Sequence, residues 1–187
     1  MKPIVVVGSI NMDLVAGVQK RPRPGETITG QSFAEVPGGK GANQAVAAAR
    51  LGAEVRMIGR VGADSFGQTL QRTLQTDRID LTGVDIDGEL PSGIALITVD
   101  GTGENSIIVI PGANGTLTAE IVERHASIIR SAGTLLVQLE VPLDAVTRAL
   151  EIAHASGVRT VLNPAPAAEL PESIYPLVDL LIPNETE

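Results

Sequence analysis

The sequence predicts an α/β fold: a mostly parallel central sheet between helical layers, with a smaller β-sheet standing off it as a lid. Three observations carry that reading. First, hydrophobic residues make up 43% of the chain but aromatics only 2%, so the core is built from Val, Ile, Leu and Ala. Aliphatic, β-branched runs of that kind suit parallel strands covered by helices on both faces. Second, apolar runs alternate with helical segments through the second half: 134–139, 143–156, 158–162 and 179–182. That alternation indicates β-α-β units joined by right-handed crossovers. Third, short strand-like segments within 11–36 and 93–110 fall outside the alternation and read as a small antiparallel sheet. A chain of 187 residues is enough for one domain. We expect residues 1–187 to form one such domain, with the lid strands inserted within it.

The elements follow in order. Pro3 to Ile10 is a continuous apolar run, hence a central strand, and Asn11 to Val15 follows directly. Pro22, Pro24 and Gly25 mark a loop. Gln31 to Val36 reads as a strand with one wet face. Asn43 to Leu51 reads as a helix stopped by Gly52. Glu54 to Gly59 is the next strand. Asp64 is placed to cap a helix that runs to about Asp77. The acidic string Asp85-Ile-Asp87-Gly-Glu89 lacks the ligand pattern of a calcium loop and reads as a solvated turn. Gly93 to Asp100 and Asn105 to Ile110 flank Gly101-Thr-Gly-Glu104 as a hairpin. Thr118 to Arg130 and Leu143 to Ser156 are helical. Thr134 to Leu139, Val158 to Leu162 and Asp179 to Ile182 are buried strands.

Composition excludes several functions. With 14 basic and 22 acidic residues the net charge is −8, the wrong sign for nucleic acid or an anionic membrane. The absence of cysteine removes disulfide and thiolate chemistry. No apolar run approaches a membrane span, and Met1-Lys2-Pro3 leads straight into a strand rather than a signal peptide, so a cytoplasmic location is expected. His125 shares a helical face with Ile121, Ile128 and Ile129, which suggests a boundary position. His154 lies late in a helix, and neither histidine has metal-ligand spacing around it.

In an open parallel sheet, ligands bind beyond the carboxyl ends of the strands. The residues that follow the apolar runs are Asn11 and Asp13, Glu140, Asn163, and then Asn184 and Glu187. Each can cap a helix or make an Asx turn. A carboxylate ending a buried strand has a stricter need for donors, and a ligand hydroxyl is one such donor.

The stretch Gly38-Gly-Lys-Gly-Ala-Asn43 precedes an alanine-rich helix. It is not a P-loop, because Gly39-Lys40 is followed by Gly41 rather than Ser or Thr. It is not the dinucleotide fingerprint either, since Gln44 stands where the third glycine belongs. What remains is a glycine turn whose backbone can approach a ligand closely, with amide donors at a helix start and an amide side chain at Asn43. That suits a polyhydroxylated neutral ligand at least as well as a phosphate, or simply a tight structural turn.

The run Gly-Gly-Lys-Gly-Ala-Asn-Gln-Ala-Val-Ala-Ala-Ala-Arg-Leu-Gly at 38–52 resembles the first signature of the ribokinase, or PfkB-type, sugar kinase family. Gly8-Ser-Ile-Asn-Met-Asp13, Pro24-Gly-Glu-Thr27, Asn163-Pro-Ala-Pro-Ala167 and Pro183-Asn-Glu-Thr-Glu187 agree with that family in order. The resemblance covers the whole chain and is nearer to the ribose-directed branch than to fructokinase or adenosine kinase. It implies a three-layer sandwich whose β-sheet lid closes over the sugar and forms a homodimer contact. It also implies ATP-dependent phosphorylation of D-ribose at O5. Asn11 and Asp13 would bind sugar hydroxyls from the lid side. Gly39, Lys40, Gly41, Ala42 and Asn43 would cup the sugar, and Glu140 would accept from a hydroxyl. Asn184 and Glu187 match the family's Asn-x-x-Glu motif, which organises Mg²⁺ and the ATP phosphates. Lid residues such as Ala95, Ile97 and Ile110 would tune the choice of sugar. A monovalent cation, K⁺, is expected from the family, with its site elsewhere than in these residues.

The family's catalytic base is an Asp in a second glycine motif, Gly-Ala-Gly-Asp. Here Gly62-Ala63-Asp64 lies too early, and Gly112-Ala-Asn-Gly115 has no acid. The C-terminal half of the sandwich is therefore expected to be incomplete, and a fragment of a longer protein is the more plausible reading. A non-catalytic sugar-binding or dimerising module is the other. Phosphoryl transfer depends on positioned groups around the γ-phosphate. We therefore expect residues 1–187 alone to turn over little or no ribose. A coupled assay for ADP release that finds kinase-like rates with the purified 187-residue chain would defeat this expectation.

Overall fold

The computed structural model describes residues 2–185. The strands are β1 (Ile4–Val7), β2 (Asn11–Gly17), β3 (Ser32–Gly38), β4 (Val55–Gly62), β5 (Asp80–Asp87), β6 (Gly93–Val99), β7 (Asn105–Ile110), β8 (Thr134–Val137), β9 (Arg159–Leu162) and β10 (Leu180–Leu181). The helices are α1 (Lys40–Arg50), α2 (Ser65–Thr76), α3 (Ala119–Arg124), α4 (Ala126–Arg130) and α5 (Leu143–Ala155). Short 3₁₀ turns occupy Gly112–Thr116 and Glu172–Leu177.

The main sheet has six strands in the order β10-β9-β8-β1-β4-β5, and every pairing is parallel. The sequence Ile-Val-Val-Val of β1 is apolar throughout because β1 is central and covered on both faces. Its alternation sorts the two cores. Val5 and Val7 join a cluster with Leu135, Val146 and Leu150 under α3, α4 and α5. Val6 joins the opposite cluster with Met57, Leu70 and Leu74 under α1 and α2. The α/β three-layer expectation is met.

The second sheet has the order β3-β2-β6-β7 and forms the lid. The hairpin expected around 101–104 is present as antiparallel β6–β7. The sheet as a whole is mixed, however, not antiparallel, because β2 and β6 run parallel. The cause lies in the main sheet. β2 follows β1, and β6 follows β5; both parent strands point the same way, so the strands that leave their carboxyl ends do too.

Two further expectations are corrected. The helix expected over 118–130 breaks at His125 (φ −98°, ψ 12°), which ends α3 and precedes α4. There His125 Nε2 lies 3.0 Å from Asp85 Oδ1 in a half-buried contact, consistent with its expected boundary position. The acidic string at 85–89 is not simply a solvated turn: residues 80–87 are strand β5, and Asp87 is 5% exposed. Its Oδ1 accepts from the Glu89 and Leu90 amides at 2.9 and 3.0 Å. Its Oδ2 accepts from Thr116 Oγ1 at 2.9 Å and faces Arg60 at 3.3 Å. Nearby, Asp64 caps α2 through the Gly67 amide and also accepts from the Ser92 amide and hydroxyl, each at 2.7 Å. These two carboxylates fasten the main sheet to the entry of β6 and to the turn at 112–116.

The amides of Leu90 and Glu89, then Thr116 and Arg60, hold the Asp87 carboxyl down to about 2 from a usual 3.8. A lowered carboxylate contributes stability above its unfolded pKa and loses it as pH falls through the folded value. Asp87→Ala is expected to cost about 1–3 kcal/mol at neutral pH, since it strands buried donors. That difference should shrink between pH 4 and 2, as read by urea unfolding across that range.

Candidate functional site

The site lies where β1 turns into β2 and α1 begins. Gly39 has φ +91°, and a Cβ there would sit 2.8 Å from the Asn11 nitrogen and 2.9 Å from the Ser9 oxygen. A Cβ on Gly41 would meet Gly8 C and Ser9 N at 2.7 Å. Only glycine lets the start of α1 lie on the backbone of Ser9. The Ala42 amide then donates to the Ser9 carbonyl at 2.9 Å.

Glu140, just past β8, closes this arrangement. Its Oε2 accepts from Ser9 Oγ at 2.6 Å and from the Lys40 amide at 2.9 Å. Ser9 Oγ in turn lies 3.3 Å from the Gly41 amide. No protein donor among the described residues contacts Oε1. Asp13 is half-buried on β2, and burial, then the charge of Glu140, raises its pKa above the usual carboxylate value. Asn11 is 3% exposed, and its Oδ1 accepts from Asn114 Nδ2 at 2.8 Å.

Of these residues, Lys40 and Glu140 line an open cleft of about 540 Å³ whose walls also include Pro142, Ile107 and Val109. Asn43 is exposed and borders a smaller cleft of about 260 Å³ with Gly38 and Asp77. Register puts Ala95 and Ile97 on the face of β6 that matches Asp13 and Val15 of β2. Ile110 pairs with Ile94 and so takes the opposite face; Val109 and Ile107 are the β7 residues on the Asp13 side. The expectation for Ile110 is corrected accordingly.

At the ends of β8, β9 and β10 an amide chain crosses the sheet. Gln138, fully buried, donates to Gln44 Oε1 at 2.7 Å. Gln44 reaches Asn163 Oδ1 at 3.4 Å, and Asn163 Nδ2 donates to the Ile182 carbonyl at 2.9 Å. Asn184, two residues on, is exposed at this edge, and Glu187 lies outside the described residues. Among the described residues no group of three or more His, Cys, Asp or Glu is placed to hold a metal. No helix among them is long and apolar enough to cross a membrane.

Sequence reading passed over Ser9, Gln138 and Asn114. The signal for Gln138 was a lone amide in an apolar strand. Asn114 sits in the Gly-Ala-Asn-Gly run, where the search was for an acid.

The family model for pfkB family carbohydrate kinases matches residues 1–187. The chain belongs to that family. It is 45% identical over 186 residues to a ribokinase of Haemophilus influenzae, covering 100% of this chain and 61% of that one. It is 40% identical over 185 residues to a deoxyribokinase of Salmonella typhi, covering 98% and 60%. An Arabidopsis thaliana ribokinase structure, complexed with ribose and ATP, superimposes with a TM-score of 0.91 at 32% identity, over 99% of this chain and 61% of that one. The chain thus spans about three fifths of the length of these relatives.

The raised pKa of Asp13 yields a test. A carboxyl whose folded pKa is raised costs stability once ionised. The penalty is absent below the unfolded pKa and complete above the folded one. Asp13→Asn should therefore raise Tm at pH 7, with the gain fading toward pH 3. Thermal melts that show equal or lower Tm at pH 7 would contradict this assignment.

Proposed function

We propose that the whole protein is a pfkB-family kinase that phosphorylates D-ribose at O5 with ATP, and that these residues carry its sugar-binding half. The observation that carries the reading is Glu140. One carboxylate oxygen is held by Ser9 and the α1 amide, while the other meets no protein donor among the described residues. A buried-edge carboxylate in that state is suited to accept from a hydroxyl, and a charged hydrogen bond of this kind contributes about 1.5–3 kcal/mol. Asp13 supplies a second acceptor from the lid, Asn11 an amide, and Gly39 to Asn43 the cup. A sugar lacking the matching hydroxyl leaves these groups unpaired, which is the basis of rejection. Asn184 and Glu187 are proposed to meet Mg²⁺ and the ATP phosphates. The base and the K⁺ site belong to parts of the family pattern that these 187 residues do not contain.

Residues 1–187 are proposed to form one domain with the lid inserted. The lid is proposed as the homodimer contact through its face away from Asp13, on the strength of exposed Phe33 and Ile108 at 66% and 63%. Similarity to a deoxyribokinase favours 2-deoxyribose as the second reading for the substrate. Calorimetry on the protein expressed from its own gene tests the proposal. Ribose should bind, and Glu140→Gln should weaken it by about tenfold or more, the equivalent of a lost charged hydrogen bond. Tighter binding of 2-deoxyribose would favour the second reading, and no binding of either pentose would defeat both. Sedimentation velocity should give a dimer that Ile108→Lys returns to monomer.

A further inference from the structure

We infer that Asn114 is a positioning residue that fixes which end of the Asn11 amide faces the sugar, and so makes Asn11 a donor there. The inference rests on the proposed sugar site. Asn114 is 1% exposed in the 3₁₀ turn Gly112–Thr116. Its Oδ1 accepts from the Ile10 amide at 2.9 Å. Its Nδ2, with two protons, lies within donating reach of the Ile10 carbonyl at 3.1 Å and the Pro111 carbonyl at 3.2 Å, both longer than its contact to Asn11. A backbone N–H only donates and a carbonyl only accepts. Those contacts therefore settle the orientation of the Asn114 amide without reference to any ligand.

The orientation passes on. The same Nδ2 reaches Asn11 at 2.8 Å and requires an acceptor there, so the Asn11 oxygen turns to Asn114 and its NH₂ turns away. No protein acceptor among the described residues meets that NH₂. Asp13, two residues on along the same face of β2, and Glu140, whose charge Asp13 feels, offer only acceptors when ionised. The site then presents a donor next to two acceptors, an arrangement that polarises a ring hydroxyl lying between them.

Gly93 makes room for the pair. A Cβ there would lie 2.2 Å from Asn114 Nδ2 and 2.4 Å from Asn11 Oδ1. Asn114 thus touches the roots of β2, β6 and β7 at once, and it holds the lid's entry and exit in register with the side chain that meets the sugar.

The test uses sugars in which one hydroxyl is replaced. Fluorine can still accept a weak hydrogen bond but cannot donate; hydrogen does neither. The ratio of fluoro to deoxy affinity therefore isolates a donor on the protein. Calorimetry on the protein expressed from its own gene, with 2- and 3-substituted D-ribose, should show fluoro preferred over deoxy by about threefold to tenfold at one position, the span of a neutral hydrogen bond. Asn11→Ala should abolish that preference. So should Asn114→Asp, which keeps the acceptor for Ile10 but forces Asn11 to turn its NH₂ inward. The double variant should lose no more than either single one. A preference that survives Asn114→Asp, or losses that multiply, overturns the inference alone. Absence of ribose binding by the unsubstituted protein overturns the sugar reading and the inference with it. If Asn114→Asp does not fold, side-chain amide NMR of the unsubstituted protein decides. Ribose should shift the Asn11 NH₂ resonances and leave those of Asn114 in place; the reverse overturns the inference.

Discussion

Helix α1 begins on top of the Ser9 backbone, and most of the candidate site depends on that approach. It requires glycine at 39 and 41, where a Cβ would fall within 2.9 Å of backbone atoms. It also gives the first amides of the helix something to bind, since the first turn of any helix leaves donors without intrahelical partners. Here one amide goes to the Glu140 carboxylate and one to the Ser9 carbonyl. The helix N-terminus is thereby joined to the ends of β1 and β8, two adjacent strands of the main sheet. A helix displaced by even one side-chain width would lose these contacts together.

The electrostatics of the site follow from which carboxylates are matched. Asp64 and Asp87 are surrounded by amides and hydroxyls, which lower their pKa values against the cost of burial. They serve the architecture, at the junction between the main sheet and the lid. Asp13 is different: burial and a neighbouring carboxylate push it the other way. A charge left partly unmatched in a cleft is a common mark of a binding site, because the missing partner is supplied by the ligand.

Much of this was legible in the sequence. The central strands were, because β1 is buried on both faces and β1 and β8 are uninterrupted in their hydrophobicity. The cap at Asp64 was, because a single side chain carries the signal. The start of α1 was placed at Asn43 rather than Lys40, since glycines read as loop wherever their packing is unseen. The parallel pairing of β2 with β6 was not legible, because it is set by the directions of β1 and β5 in a different sheet. β5 was missed for a related reason. As an edge strand, with acidic residues at both ends and Ile86 at 58% exposure, it shows no continuous apolar run. Asn114 gave no signal of its own, because its four contacts are to backbone atoms and to a side chain more than a hundred positions away.

The division of the candidate site between two sheets has a mechanical consequence. Asn11 and Asp13 belong to the lid, whereas Glu140 follows β8 of the main sheet. The lid strands are continuous with one another through the β2–β6 pairing. Without a ligand, the charges of Asp13 and Glu140 oppose closure. On the proposed reading, hydroxyls of a ligand between them would donate a hydrogen bond to each carboxylate and offset that repulsion. On that reading, closure over a hydroxylated substrate would be favoured by the ligand's own hydroxyls. Asn114 and the Asp64–Ser92 contacts anchor the lid at its roots, beside the main sheet.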